Sequence, residues 1–405
     1  MLIRTMRGVR RNLIPALVVC FACVLCTCSQ AVAEDAMQDF TLRYLLRTDE
    51  TEPAVFCDLT RDQMIQSTNA SALQTELQFQ RDLGGGTESI TTIPTGLGGS
   101  GKYIGGVLAP GGKIYGIPTS ETSVLVIDPA TDTVSTFGSL GGGNKWAGGV
   151  LAPGGKIYGI PNSVSNVLVI DPATHTTTTF AVGAGGWFGG ALAPNGKIYA
   201  VPQSGTDILV IDPSNDTTTT IAAGGNGWRG AVLAPGGKIY GIPFATANIL
   251  EIDPETDTVT TFPGPGAGAN DWFGGVLGPD GKIYGLPYDN TSVLVLDPET
   301  HTTTTIPSPG AGSSDWSGGV LAPNGKIYGI PANNTNILVI DPATSTTTTI
   351  PGPGAGGTDW FGGVLAPGGK IYGMPLNDNN VLVVDTASNG SYCDPLLTSG
   401  YLNKY

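Results

Sequence analysis

The chain has 405 residues, 40% of them hydrophobic and only 13% charged, with 61 glycines, 30 prolines and a formal net charge of −14. So few charges exclude a highly charged disordered chain, and so little Lys and Arg excludes a long coiled coil. The acidic balance argues against nucleic acid and anionic membrane surfaces as partners.

Residues 1–33 carry Arg4, Arg7, Arg10 and Arg11 and no acid; an apolar run follows over 13–28, and Ala31-Val32-Ala33 precedes Glu34. This charged, apolar, small-residue order predicts a secretory signal cleaved after Ala33. Two alternatives remain: an uncleaved anchor, for which the run is short, and acylation at Cys28, for which Leu25-Cys26-Thr27 is a poor lipobox. Cleavage removes Cys20, Cys23, Cys26 and Cys28 and moves the charge to −18, leaving Cys57 and Cys393. In an exported chain these two are expected to form a disulfide. The expected location is secreted, periplasmic or cell-surface, with no membrane span after cleavage. Residues 34–86 form an extension without repeats; Thr60-Arg61-Asp62-Gln63 and Ser71-Ala72-Leu73-Gln74 resemble capping boxes of two short helices.

A repeat fills residues 87–391. KIYG or KIYA starts at Lys113, Lys156, Lys197, Lys238, Lys282, Lys326 and Lys370, with spacings of 43, 41, 41, 44, 44 and 44. Ten residues before each lysine stands an aromatic: Tyr103, Trp146, Trp187, Trp228, Trp272, Trp316 and Trp360. Fifteen residues after each stands an aspartate: Asp128, Asp171, Asp212, Asp253, Asp297, Asp341 and Asp385. Each unit reads as four strands. Strand a follows the aromatic, strand b is KIYGI, strand c is a Val/Ile/Leu run ending in the aspartate, and strand d is the Thr-rich run. Units of this length with four strands are propeller blades, so the fold class is all-β, a seven-bladed β-propeller.

Hairpin arithmetic places each lysine opposite its aspartate at the end of the b–c pair, which predicts seven cross-strand ion pairs. Ser89 to Tyr103 aligns without a gap with Thr346 to Trp360, while no Thr-rich run follows Asp385. The N-terminal segment is therefore expected to supply the outer strand of the last blade and close the ring. Residues 392–405 are a tail.

Two faces follow from strand direction. The a–b and c–d turns repeat almost unchanged, which is turn chemistry. The d–a and b–c loops vary, as binding surfaces on fixed scaffolds do, although unconstrained drift would look the same. The aromatic ring either lines a mouth or wedges between blades. The next residue differs from blade to blade: Ile104, Ala147, Phe188, Arg229, Phe273, Ser317 and Phe361, with Arg229 the only charge. Candidate ligand-binding residues are therefore Tyr103, Trp146, Trp187, Phe188, Trp228, Arg229, Trp272, Phe273, Trp316, Trp360 and Phe361. Asp271, Asp315 and Asp359 precede tryptophans in consecutive blades. They are weak candidates for Mg or Ca at the channel mouth; the alternative is that they only solvate their loops.

The stretch FPGPGAGANDWFGGVLGPDGKIYGLP, followed by VLVLDPET and TTTTIPSP, resembles the repeat of the streptogramin (virginiamycin B) lyase family. The resemblance covers Ser89 to Asp385 and implies a seven-bladed propeller that uses magnesium and catalytic histidines on the strand-a side. The matching position is the residue after the tryptophan, and none of the seven is histidine. His175 and His301 each lie four residues after a DP aspartate, in c–d turns. The expected function is a non-enzymatic scaffold binding an extracellular protein or glycan through the varied face, with the mature chain a monomer. The alternative is a metal-assisted lyase or hydrolase using Asp271, Asp315, Asp359 or Glu121.

Overall fold

The computed structural model describes residues 88–386 apart from 267–268, 311 and 355. They form seven antiparallel four-stranded sheets, the seven blades of a propeller. Blades 1–6 span residues 103–137, 146–181, 187–222, 228–263, 272–307 and 316–351. Blade 7 joins residues 360–385 to the strand Ser89–Pro94, which pairs with Asn380–Asp385. The expected clasp is present, with Ile93 opposite Val381. The innermost strand of blade 1, Tyr103–Leu108, contacts both Trp146–Leu151 and Trp360–Leu365, so the ring closes on itself. The signal, both capping boxes, Cys57 and Cys393 lie outside the described residues.

Local composition explains each layer. Strand c is a continuous Val/Ile/Leu run because neighbouring blades cover both of its sides. Strand d faces solvent and carries threonine, which keeps β preference without an exposed apolar edge. Seven apolar cores lie between consecutive blades rather than within them. Trp272, for example, packs on Val232, Tyr240, Ile242 and Ile249 of blade 4 and on Ile283 and Leu294 of its own blade.

The lysine–aspartate ladder is not as expected. The strands hold the predicted register, with Ile114 opposite Ile127 and Lys370 opposite Asp385. Yet among the described residues only Lys113–Asp128 closes as an ion pair of this kind, at 3.4 Å. Lys238 instead pairs with Glu251, and Lys370 with Asp132 of blade 1. Each of six aspartates is also a turn residue, its Oδ1 accepting the backbone N–H two residues on, at Ala130, Ala173, Ser214, Glu255, Glu299 and Ala343. The turn bond leaves Oδ2 open, as Asp128 shows by making both contacts. The cause is exposure: a solvated lysine gains too little from pairing to be held opposite the aspartate.

Candidate functional site

Every strand a begins with the same device. Register slips by one residue just after the aromatic in all seven blades. The glycine two places after each aromatic has positive φ, from 70° at Gly189 to 87° at Gly230. A side chain there would be strained, so the position is glycine seven times. The bulge frees the residue between aromatic and glycine to face the ring axis.

The aromatics themselves are wedges. Tyr103, Trp146, Trp187, Trp228, Trp272, Trp316 and Trp360 are all buried in the interblade cores. Each indole N–H donates to the first carbonyl of strand c in its own blade, as Trp316 does to Asn336 O at 2.9 Å and Trp187 to Asp207 O at 2.6 Å. Their place is between the blades, and the mouth is lined by other groups.

At the axis, Phe188, Phe273 and Phe361 from blades 3, 5 and 7 meet in one cluster with Phe244. Ring centroids lie 5.0 Å apart for Phe188 and Phe273 and 4.6 Å for Phe273 and Phe361, both edge-to-face. All three phenylalanines of the variable position are buried. They pack together where blades 3, 5 and 7 meet at the ring axis. Half-buried Ile104, Tyr288, Leu376 and Arg229 stand beside them. Phe244, Tyr288 and Leu376 were not among the sequence candidates. Their signal was present, because each opens a b–c loop directly after the proline of strand b.

Arg229 lies in this aromatic setting. Its guanidinium carbon is 3.7 Å from the Phe244 ring centroid, 5.0 Å from Phe273 and 5.1 Å from Phe188. Its Nε is buried without a hydrogen-bond partner. Among the described residues no carboxylate lies within ion-pair distance of it. Burial pulls its pKa down to about 10, leaving it cationic at neutral pH. A planar, weakly hydrated cation tolerates such walls better than an ammonium would.

The residues before the aromatics brace loops. Asp315 accepts from Gly312 N at 2.7 Å through Oδ2 and from Asn334 Nδ2 at 2.9 Å through Oδ1. Asp271 accepts from Asn290 Nδ2 at 2.9 Å, and Asp359 from Gly356 N at 3.1 Å. Both oxygens of Asp315 thus face N–H donors, which repel a cation. Among the described residues no three acidic, histidine or cysteine side chains converge as ligands. This donor set does not fit Mg or Ca. In blades 1 and 2 a lysine takes the same place. Lys145 Nζ donates to Thr119 O and Glu121 O, each at 2.8 Å, tying blade 2 to the b–c loop of blade 1. Lys102 Nζ likewise reaches Gly99 O at 2.7 Å and Asn377 O of blade 7 at 3.3 Å. Burial lowers the pKa of both lysines.

On the opposite face the strand-b tyrosines latch consecutive blades. Tyr158 donates to Asp216 of blade 3 at 2.6 Å, Tyr199 to Asp257 of blade 4 at 2.9 Å, and Tyr372 to Asp132 of blade 1 at 2.7 Å. Tyr328 donates to Glu88, at the start of the clasp strand, at 2.5 Å. The turn residue four places after the strand-c aspartate has positive φ in six blades, including His175 at 53° and His301 at 54°. Both histidines are therefore turn residues on this face, as the sequence implied. One latch differs. Glu251 stands where the other strand-c runs have valine, is 5% exposed, and contacts Lys238 Nζ at 2.5 Å and His301 Nε2 at 2.6 Å.

No family model matches the chain, and no curated protein matches it. Solved structures do. A streptogramin B lyase structure superposes with a TM-score of 0.64 at 13% identity, over 73% of this chain and 97% of that one. A catalytically inactive virginiamycin B lyase from Staphylococcus aureus with quinupristin gives 0.65 at 13% identity, over 74% and 99%. The extracellular domain of a hybrid two-component system from B. thetaiotaomicron gives 0.57 at 11% identity, over 74% of this chain and 42% of that one. At such identities the likeness is one of fold: this is a propeller of the streptogramin-lyase shape, and extracellular domains are among its structural neighbours.

Proposed function

We propose that the protein is an exported binding scaffold that captures an extracellular glycan or protein at the d–a/b–c face and turns nothing over. The observation that carries this reading is the aromatic cluster at the ring axis. Phe188, Phe273 and Phe361 pack there with Phe244, and beside them stands one half-buried cation, Arg229, which among the described residues has no carboxylate within ion-pair distance. Acid–base catalysis needs a group whose pKa lies near working pH within reach of a substrate proton. His175 and His301 belong to turns of the other face, and Asp271, Asp315 and Asp359 of this face accept from loop amides. Similarity to extracellular domains supports an exported location. That location fits cleavage after Ala33 and a Cys57–Cys393 disulfide in a monomer.

The test is a glycan array and an extracellular pull-down with chain 34–405, each repeated with Arg229→Met. We expect hits lost in the variant. A parallel assay with lactones, esters and polysaccharides, with Mg or Ca added, is expected to show no turnover. Turnover abolished by Asp315→Ala would overturn the reading in favour of a metal-assisted lyase or hydrolase.

A further inference from the structure

We infer that the ligand group received by Arg229 at the aromatic cluster is a monoanion on a flat apolar body, an aryl carboxylate being the simplest form. The inference rests on the binding role proposed above and names the chemistry of that site.

The argument starts from charge. A half-buried guanidinium among three phenylalanine rings has lost part of its hydration. The ring faces return only part of that. Buried cations normally find a carboxylate or a set of carbonyls. The other two buried cations of this face do so: Lys102 and Lys145 are surrounded by backbone carbonyls. Among the described residues Arg229 has neither, and its Nε has no partner. A guanidinium has five donors in a planar fork that matches a carboxylate.

The walls fix the rest of the ligand. Phe188 and Phe244 flank the guanidinium, and Tyr288, Ile104 and Leu376 complete an apolar rim. An apolar body would cover the cation and strengthen its pairing by excluding water. One cation balances one charge, and the chain around it is strongly acidic. A phosphate dianion would be repelled, and a small hydrated anion would leave the rim uncovered.

The probes are benzoate and its uncharged counterpart benzamide, titrated into chain 34–405 by calorimetry or ligand-observed NMR. We expect benzoate to bind at least about tenfold more tightly than benzamide. Arg229→Met keeps the apolar volume and removes the charge; it should fold, and it should lose benzoate at least about tenfold. Chloride at equal concentration should compete poorly. The inference is overturned by equal affinity for the two probes, by no benzoate binding up to about 10 mM, by equal competition from chloride, or by unchanged benzoate affinity in a folded Arg229→Met. The two readings fail separately. Array or pull-down hits that vanish in Arg229→Met, with no benzoate binding, would sink the anion and leave the binding face. Benzoate binding without any macromolecular hit would do the reverse.

Discussion

The two faces of the ring fasten the same seven blades by different means. The a–b/c–d face repeats one latch, a tyrosine of one blade bonded to the turn of the next. The d–a/b–c face fastens blades with whatever each loop supplies: buried Lys102 and Lys145 reach carbonyls of the preceding blade, while Asp289 of blade 5 and Asn333 of blade 6 accept from Ser314 N and Thr358 N in the loops that lead into the next blade. Variation on that face is therefore mostly alternative bracing. Uneven loops do not by themselves mark a ligand site. What distinguishes the face is its centre, where half-buried Arg229 is, among the described residues, left unbraced by the loops.

If both faces fasten one closed ring, removing the clasp should weaken both together. Deleting residues 34–95 takes away the strand paired to Asn380–Asp385 and the Glu88–Tyr328 latch. We expect the largest loss, above about 4 kcal/mol or roughly 10 °C in melting temperature. A truncated chain that melts like chain 34–405 would show the ring does not depend on the clasp. Next comes a fastening shared by every blade. Trp316→Ala empties an interblade core and should cost about 3–5 kcal/mol, whereas Trp316→Phe, which loses the bond to Asn336 O, should cost about 1–2 kcal/mol. Chemical denaturation of the two variants measures the difference.

The latch at Glu251 should behave differently from the others. Burial pushes the Glu251 carboxyl up, and the contacts from Lys238, Tyr240 and His301 outweigh this, so it sits below the usual carboxylate range. A carboxyl with a depressed folded pKa binds fewer protons than in the unfolded chain. Its contribution is complete above the ordinary carboxylate range and is lost as pH falls through the folded value. Glu251→Val, the residue of the other blades, should leave neutral-pH stability unchanged or raise it by up to about 1–4 kcal/mol. It should also flatten the acid side of the stability–pH curve. Melting temperatures from pH 7 downward test this; an unchanged acid limb would remove Glu251 as its source. The smallest effect is expected at an ordinary latch. Tyr158→Phe loses one bond to Asp216 and should cost about 1 kcal/mol, in a denaturant titration, without altering ligand capture.

The fold was almost wholly legible in the sequence because the repeat is nearly exact and a strand's side-chain period ties register to spacing. Even the clasp could be read, since the strand absent after Asp385 stands at Ser89. The site was legible only in part. Arg229 stood out as the single charge in its column. The tryptophans shared that column's neighbourhood, and composition does not say on which side of a pleat a bulge turns a side chain. The bulge glycines put tryptophan between the blades and its successor on the axis. Phe244, Tyr288 and Leu376 come from a different loop, and only the closed ring brings them to the same mouth. The ion-pair ladder was misread because a charge opposite a charge was weighed without its exposure, and in water such a pair gains too little to hold two side chains together.

One variant read two ways tests the central claim most directly. Arg229→Met should retain the melting temperature of chain 34–405 or raise it, because a buried uncompensated charge is replaced by an apolar side chain of similar size. In the same preparation the captured glycan or protein should be lost. Capture that survives in the folded variant would contradict the account, as would a melting temperature that falls in step with capture.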